Sequence, residues 1–266
     1  MNCIGRMGKR LPGTAMLLQL LVTKPNLCCF RRNIHLPPWF GTSPRNMAAC
    51  TRPTSPGKHS ATLIFLHGLG DTGKGWLENL SEICPGHIKI ICPNAPIAPV
   101  SLNFGMPMPS WFDIKSLSFD ADEDEAGIVA SADRVKGIMT EEVAAGIPMS
   151  RIVVGGFSQG GAVALHTFLS HTEKLGGCVG LSTFLPLSTK FQDNATPANK
   201  DTKVFLAHGN SDPVVKFQFG EMTNNLMKTH YSEISWNKYS GLGHSSSTSE
   251  MKDLKKFLEG VIGKTS

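Results

Sequence analysis

Short runs of apolar residues alternate along the chain with longer segments in which apolar positions recur every three or four residues. The apolar runs cover residues 61–68, 88–92, 151–156, 177–182, 203–209 and 234–239. Such runs are typical of strands buried on both faces of a parallel sheet. The helical segments between them cover residues 74–84, 123–145, 159–171, 216–230 and 247–261. This alternation predicts one α/β domain with a mostly parallel central sheet and helices on both faces.

The first 58 residues differ from the rest of the 266-residue chain in charge. They hold nine Lys and Arg and no Asp or Glu, whereas residues 59–266 hold 17 basic and 21 acidic residues. The net charge of +5 therefore comes from an amino-terminal extension, and a basic groove for nucleic acid is not expected. We place the domain at residues 59–266 and expect residues 1–58 to be a disordered tail or a targeting segment.

Several features of the extension bear on its location in the cell. Its longest apolar stretch, residues 15–22, is shorter than the ~20 residues that a bilayer span needs. Scattered arginines without acids suit a mitochondrial presequence, and Cys28 and Cys29 stand beside two arginines in a setting that suits acylation. A disordered tail, or translation from Met47, is the alternative. We predict a cytoplasmic protein, either free or peripheral at membranes, with a mitochondrial location as the alternative.

The cysteines and acidic residues do not indicate a metal site. The seven cysteines are odd in number, and no two C-x2-C pairs occur at zinc spacing. Acidic residues at 120–125 precede a predicted helix, where they favour the positive end of its dipole. We therefore expect reduced thiols and no metal.

A Gly-x-Ser-x-Gly motif lies between a predicted strand and a predicted helix. Residues 156–160 follow the apolar run at 151–156, and pairs of glycines flank Ser158 on both sides. A serine on so sharp a turn has a strained backbone, and its hydroxyl stands above the carboxyl ends of the strands. The position of the motif predicts Ser158 as a nucleophile, with a glycine-rich packing turn as the alternative.

The loops after two later strands offer an acid and a base in the order that this type of site requires. Asp212 follows the strand at 203–209, and His244 follows the last predicted strand. We predict that His244 takes the proton of Ser158 and that Asp212 fixes the tautomer of His244. His208 ends the strand before Asp212 and is expected to support that loop rather than to titrate.

Attack by the serine produces an oxyanion, which needs preorganised donors. One predicted donor is the backbone N–H of Gln159, the residue after the nucleophile. The other is the N–H of Leu69 in the glycine-rich loop at 67–71. The alternative for that loop is a simple turn. No cofactor is expected, because the serine, the base and these dipoles supply the chemistry.

An apolar segment between the second predicted strand and the longest helix is a candidate for binding an aliphatic group. It contains Met106, Met108, Trp111 and Phe112. Methionine adapts to irregular aliphatic shapes, which would suit a lipid tail. The alternative is that these side chains only cover the core.

Seven blocks of this sequence resemble the acyl-protein thioesterases, also called lysophospholipase-like carboxylesterases. The blocks lie, in the order of the family, at residues 65–76, 91–96, 108–114, 123–128, 155–162, 208–215 and 243–247. The resemblance covers about residues 61–262 and implies a single-domain α/β-hydrolase fold. It also implies an enzyme that removes long acyl chains from S-acylated cysteines of proteins and hydrolyses lysophospholipids and simple esters.

The same resemblance assigns roles to individual residues. It implies a triad of Ser158, Asp212 and His244 and oxyanion donors at Leu69 and Gln159. S-acylated proteins and lysophospholipids are the expected partners, with peripheral membrane contact, no nucleic acid, and a monomer or weak dimer. A carboxylesterase for small soluble esters and a catalytically silent lipid-binding member are the alternatives.

The sequence departs from the family at the expected acyl-binding site. Phe184 stands where the family usually has Trp, and Lys216 stands where it tends to be apolar. These changes leave the chain-length preference open without removing a catalytic group. Cys50, three residues after Met47, is the nearest match to the acylated cysteine of the family.

Overall fold

The computed structural model describes residues 49–54, 59–118 and 121–263, and all of them belong to one compact unit. The predictions for the extension before residue 49 lie outside the described residues. The elements in chain order are β1 (Ala49–Arg52), β2 (Ala61–Leu66), α1 (Gly73–Ile83), β3 (Ile88–Pro93), β4 (Ile97–Val100), β5 (Met106–Pro109), α2 (Glu125–Ala144), β6 (Ile152–Phe157), α3 (Gln159–Leu169), β7 (Gly177–Leu181), α4 (Phe191–Asn194), β8 (Val204–Gly209), α5 (Phe217–Met227), β9 (Ile234–Tyr239) and α6 (Thr248–Ile262).

Seven strands form the central sheet in the order β1-β3-β2-β6-β7-β8-β9. All neighbours from β3 to β9 pair in parallel, and β1 pairs antiparallel with β3. Every residue of β2 and of β8 is buried, which explains why these strands are apolar apart from Thr62 and His208. The predicted α/β-hydrolase fold with a mostly parallel sheet is confirmed.

Helices cover both faces of the sheet, and successive residues of one strand point to opposite faces. In β2, Ile64 packs with residues of α2, α3 and α5, whereas Leu63 packs with residues of α1 and α6. Strand residues alternate between the two faces of a sheet, so a strand covered on both sides is largely apolar. The sheet therefore has two apolar cores, one on each side.

The sheet begins earlier in the chain than the predicted boundary at residue 59. Residues 49–52, which the sequence assigned to the extension, form the edge strand β1, with Cys50 directly opposite Cys92 of β3. Arg52 fastens this strand by donating to four carbonyls near the end of α1 and the start of β3, at 2.8–3.1 Å. A four-residue strand with two polar residues carries no clear periodic signal, so sequence patterning missed it.

Strands β4 and β5 form a separate two-stranded antiparallel hairpin that was not predicted. Each strand has only four residues and contains proline, which weakens any strand signal. The hairpin joins the glycine-rich loop after β2, since the N–H of Gly70 donates to the carbonyl of Pro109 at 2.8 Å. It thereby contacts the loop that follows β2 at the edge of the sheet where the parallel strands end.

Candidate active site

Ser158 occupies the sharp turn between β6 and α3, with φ 54° and ψ −123°. A positive φ is unfavourable for serine, so the surrounding structure must hold it. The Ser158 N–H donates to the carbonyl of Leu181 at 2.9 Å, and the Ser158 carbonyl accepts from the Thr183 hydroxyl at 2.7 Å and from Ala162 N–H at 3.1 Å. These bonds fix the turn that presents the Ser158 hydroxyl.

The three residues predicted as a triad lie in contact. His244 Nε2 is 3.0 Å from Ser158 Oγ, and His244 Nδ1 is 2.7 Å from Asp212 Oδ2. The Asp212 side chain is fully buried, whereas that of His244 is 17% exposed. The imidazole also packs against the ring of Phe157, with 4.7 Å between centroids. The fold thus brings together residues that are 86 positions apart in the chain.

The Asp212 carboxylate is held from both sides. Its Oδ1 accepts backbone N–H bonds from Val214 at 2.8 Å and from Val215 at 3.0 Å. Burial alone would raise the pKa of Asp212, but hydrogen bonds from His208 and His244 outweigh burial and hold that pKa well below its usual range. An ionised carboxylate requires a proton on the Nδ1 of His244, and this leaves Nε2 free to accept one from Ser158.

One predicted oxyanion donor, Gln159, lies at the start of α3, and the other, Leu69, lies on the loop after β2. Gln159 is the first residue of α3, and its side chain is locked because its amide donates to the Phe112 carbonyl at 2.7 Å and accepts from Trp111 N–H at 3.1 Å. In the other loop, Gly70 N–H is bonded to a carbonyl, whereas the described part of the chain offers no partner to Leu69 N–H. Both amides are therefore available to a ligand beside Ser158.

His67 braces the loop that carries Leu69, although it was not among the predicted site residues. Its Nε2 accepts from Ala95 N–H at 3.0 Å, so Nδ1 bears the proton and donates to the carbonyl of Gly68 at 2.7 Å. Burial lowers the pKa of His67, which is consistent with a neutral ring. The only available sequence signal was its position at the end of a buried strand, before a glycine-rich loop.

The five predicted acyl-binding residues are divided between three places. Phe112 and Phe184 line a cavity beside the triad. Trp111 is buried in the core, where its indole N–H donates to the carbonyl of His67 at 2.8 Å. Met106 and Met108 lie on β5, in the hairpin next to the glycine-rich loop.

The cavity has a volume of about 420 Å³ and lies between α5, the segment after β5 and the segment after β7. Its apolar lining residues are Phe112, Ile114, Leu117, Ala121, Phe184, Leu185, Val215, Phe219, Met222 and Leu226. The charged residues of the lining are Asp113, Lys115, Asp122 and Glu123. Two of them reach the site directly, because Val215 N–H bonds Asp212 and the Phe112 carbonyl bonds Gln159. The cavity therefore adjoins the residues that hold Asp212 and Gln159, while Ser158 and His244 are not among its lining residues.

The arrangement has the parts needed for acyl transfer to a serine: a hydroxyl, an oriented base and two backbone donors. Within residues 49–54, 59–118 and 121–263, no group of three or more His, Cys, Asp or Glu side chains is placed to hold a metal ion.

Comparisons with known proteins agree with this geometry. The family model for phospholipases and carboxylesterases matches residues 50–262. An acyl-protein thioesterase 1 homolog of Dictyostelium discoideum is 47% identical over 211 residues, which is 77% of this chain and 92% of that protein. Acyl-protein thioesterase 1 of Yarrowia lipolytica is 44% identical over 208 residues, which is 76% of this chain and 92% of that protein.

The crystal structure of Zea mays acyl-protein thioesterase 2 matches with a TM-score of 0.75 at 34% identity, covering 82% of this chain and 100% of that one. The chain therefore belongs to the phospholipase/carboxylesterase family of α/β-hydrolases.

Proposed function

We propose that this chain is an acyl-protein thioesterase that removes long acyl chains from S-acylated cysteines of proteins. Lysophospholipids and simple esters are its expected secondary substrates. The observation that carries the proposal is the contact chain from Ser158 through His244 to Asp212, placed beside a largely apolar cavity of about 420 Å³. The names of the relatives in Dictyostelium, Yarrowia and maize support the same substrate class.

In the first half of the reaction, His244 Nε2 takes the Ser158 proton while Oγ attacks the thioester carbonyl carbon. The carbonyl oxygen becomes an oxyanion that accepts from the N–H groups of Leu69 and Gln159. When this intermediate collapses, the C–S bond breaks and the cysteine sulfur takes the proton from His244. The products are the free cysteine of the substrate protein and an acyl ester on Ser158.

In the second half, water hydrolyses the acyl-enzyme. His244 removes a proton from the water, whose oxygen attacks the ester carbonyl carbon. The bond to Ser158 Oγ then breaks, and Oγ takes the proton back from His244. Asp212 stays ionised throughout and stabilises the imidazolium that forms twice in each turnover. The released product is a fatty acid.

The cavity provides the selectivity for long chains in this proposal. Phe219, Met222 and Leu226 recur every three or four residues, so they present one apolar face of α5 to the cavity. Each buried CH₂ group contributes roughly 0.8 kcal/mol to binding, so a long chain gains far more from this cavity than an acetyl group does.

Turnover of a palmitoyl-cysteine peptide and of an acetyl ester by the same preparation tests the proposal. We expect the palmitoyl thioester to be strongly preferred in kcat/KM, and Ser158→Ala to hydrolyse neither. Leu226→Trp, which fills the cavity, should reduce kcat/KM for the palmitoyl substrate at least about tenfold and leave the acetyl ester nearly unchanged. Val143→Trp, at an exposed position on α2, is the matched control. A preference for the acetyl ester would instead indicate a small-ester carboxylesterase.

The β4–β5 hairpin supports a peripheral contact with lipid bilayers, where S-acylated proteins reside. Its exposed apolar side chains include Phe104, which is 94% exposed, and Ile97, which is 75% exposed. Residues 97–109 contain no Asp, Glu, Lys or Arg, so insertion would be driven by apolar burial rather than by charge. In the part of the chain that the structure describes, no helix has the length and apolar character of a membrane span.

Flotation with phosphatidylcholine vesicles tests this contact. Phe104 has φ 55°, which Asn tolerates, so Phe104→Asn removes the apolar ring without new backbone strain. We expect this change to lower the bound fraction about tenfold, and added salt to have little effect on the wild type. Val129→Asn, at an exposed site on α2, should bind as the wild type does. Equal binding by all three proteins would contradict the contact.

A further inference from the structure

A second histidine lies against the buried carboxylate of Asp212. His208 belongs to β8, and its side chain is 1% exposed. Its Nε2 is 2.8 Å from the carbonyl oxygen of Val215 and 3.4 Å from Asp212 Oδ2. The titratable side chains in contact with Asp212 are thus His208 from β8 and His244 from the loop after β9, and the remaining bonds come from backbone amides.

The neighbours of His208 determine its tautomer. A carbonyl oxygen and an ionised carboxylate can only accept hydrogen bonds, so Nε2 must carry a proton. The neutral ring with its proton on Nε2 satisfies both acceptors through one forked donor. His208 therefore faces Asp212 as a donor, as does His244, although His208 has no contact with Ser158.

The position of the His208 ring is fixed by α5 and β9. The rings of Phe217 and Trp236 lie 6.0 and 6.3 Å from it, centroid to centroid. A Cβ on Gly220 would lie 2.5 Å from His208 Nδ1, so only glycine allows α5 to pack this closely on the imidazole. The imidazole is therefore packed closely against this helix.

We propose that His208 is a positioning residue that ties the turn after β8 to its strand and holds Asp212 Oδ2 toward His244. Its N–H also takes up part of the carboxylate charge, and so it limits how strongly Asp212 stabilises the protonated form of His244. This inference rests on the proposed function, because it assigns His208 a role through the triad. The hydrogen bond from His208 is one of the interactions that, against the opposing effect of burial, keep the pKa of Asp212 low.

Replacing His208 should change the pH profile as well as the rate. His208→Phe keeps an aromatic ring but removes the donor, and the carboxylate then attracts a proton on His244 more strongly. We expect kcat/KM for a short ester to fall about tenfold, mainly in kcat, and the midpoint of the acid limb to rise by about half a pH unit. His208→Gln places an amide N–H at the position of Nε2 and should therefore restore the pH profile.

Matched variants separate positioning from packing. His208→Asn carries the same amide as His208→Gln but reaches only the position of Nδ1, so it should behave as His208→Phe does. If His208→Phe fails to fold, the Gln and Asn pair makes the same test. His166→Phe replaces another buried histidine, two turns into α3, and should leave the acid limb unchanged. An acid limb that is identical in the Gln, Asn and wild-type proteins would overturn the proposal.

A measurement on the unmodified protein is independent of activity. In spectra of protein containing ¹⁵N-labelled histidine, His208 should carry its proton on Nε2. A proton on Nδ1 alone would overturn the inference even if all variants were inactive. Failure of the wild type to hydrolyse esters or to react with a fluorophosphonate would instead reject the proposed function, and the tautomer of His208 would still be decided.

Discussion

The hydroxyl of Ser247 accepts a hydrogen bond from the backbone N–H of Glu250 at 3.2 Å and thereby caps the start of α6. Ser247 lies three residues after His244 in the chain. Glu250 itself is fully buried. Burial raises the pKa of this carboxyl to about 7, an effect that the Ser247 N–H only partly offsets. The loop that carries His244 is therefore followed by a buried carboxyl, and the folded state favours the neutral, protonated form of this Glu250 side chain.

Stability should consequently depend on pH through Glu250. Its pKa is raised from an ordinary value of 4.5, so its contribution is fully present below pH 4.5 and is lost as the pH rises to about 7. The free energy of unfolding should fall by on the order of 3 kcal/mol across this window. Glu250→Gln should remove that fall in denaturant titrations at several pH values. The exposed Glu259→Gln in the same helix should retain it, and equal pH dependence in all three proteins would count against this assignment.

Ser158→Ala should abolish turnover while preserving the fold. The side chain removed contacts His244, whereas the bonds that hold the turn come from the Ser158 backbone. Activity should fall about 10⁴-fold or more, with a melting temperature within about 3 °C of the wild type. Labelling by a fluorophosphonate should disappear, and Ser170→Ala at the other end of α3 should still be labelled. Persistent labelling of the Ser158 variant would point to another nucleophile.

Asp212→Asn should separate the role of charge from that of shape. An asparagine carbonyl can still accept from the N–H groups of Val214 and Val215, so the turn should survive. Its NH₂ group would face His244 Nδ1 and favour the tautomer that cannot accept the Ser158 proton. We expect kcat to fall about 10³–10⁴-fold with a similar KM, measured on a short ester. Asp201→Asn, in the exposed turn before β8, is the control, and a loss confined to KM would be inconsistent with this role.

Gly160 is required where the first turn of α3 meets the end of β2. A Cβ on Gly160 would lie 2.4 Å from the carbonyl oxygens of Leu66 and His67, which are backbone atoms that cannot move independently. Gly160→Ala should therefore lower the free energy of unfolding by about 2 kcal/mol or more and disturb the active-site turn. Gly75→Ala, in α1 where no atom lies within 4 Å, should be neutral or stabilising by up to about 1 kcal/mol. Equal melting temperatures for the two variants would contradict the close approach.

All six strands predicted from apolar runs are present, within two residues of their expected limits at each end. Buried parallel strands are apolar on both faces, which makes them easy to detect. The loops after β6, β8 and β9 could also be predicted to converge, because parallel strands end at one edge of the sheet. That prediction explains why Ser158, Asp212 and His244 meet.

The wall that α5 contributes to the cavity could not be predicted in the same way. Phe219, Met222 and Leu226 follow a helical period that a core-facing helix would also show, so the pattern does not distinguish a cavity from a packed core. The burial of Trp111 could not be predicted for a similar reason, because the sequence of a loop does not indicate which way an aromatic side chain faces. Only three-dimensional packing decides between these outcomes.

The turn after β7 contacts both the nucleophile turn and the cavity. Thr183 holds the carbonyl of Ser158, and the next residue, Phe184, lines the cavity. An engineer who reshapes the cavity at Phe184 to accept other chain lengths therefore also perturbs the support of the nucleophile. On α5, Thr223 accepts from the Leu185 N–H of the same turn at 2.8 Å, and Gly220 packs against His208. Met222 lines the cavity but is 55% exposed, so it is the safer position on that helix at which to retune selectivity without a loss of speed.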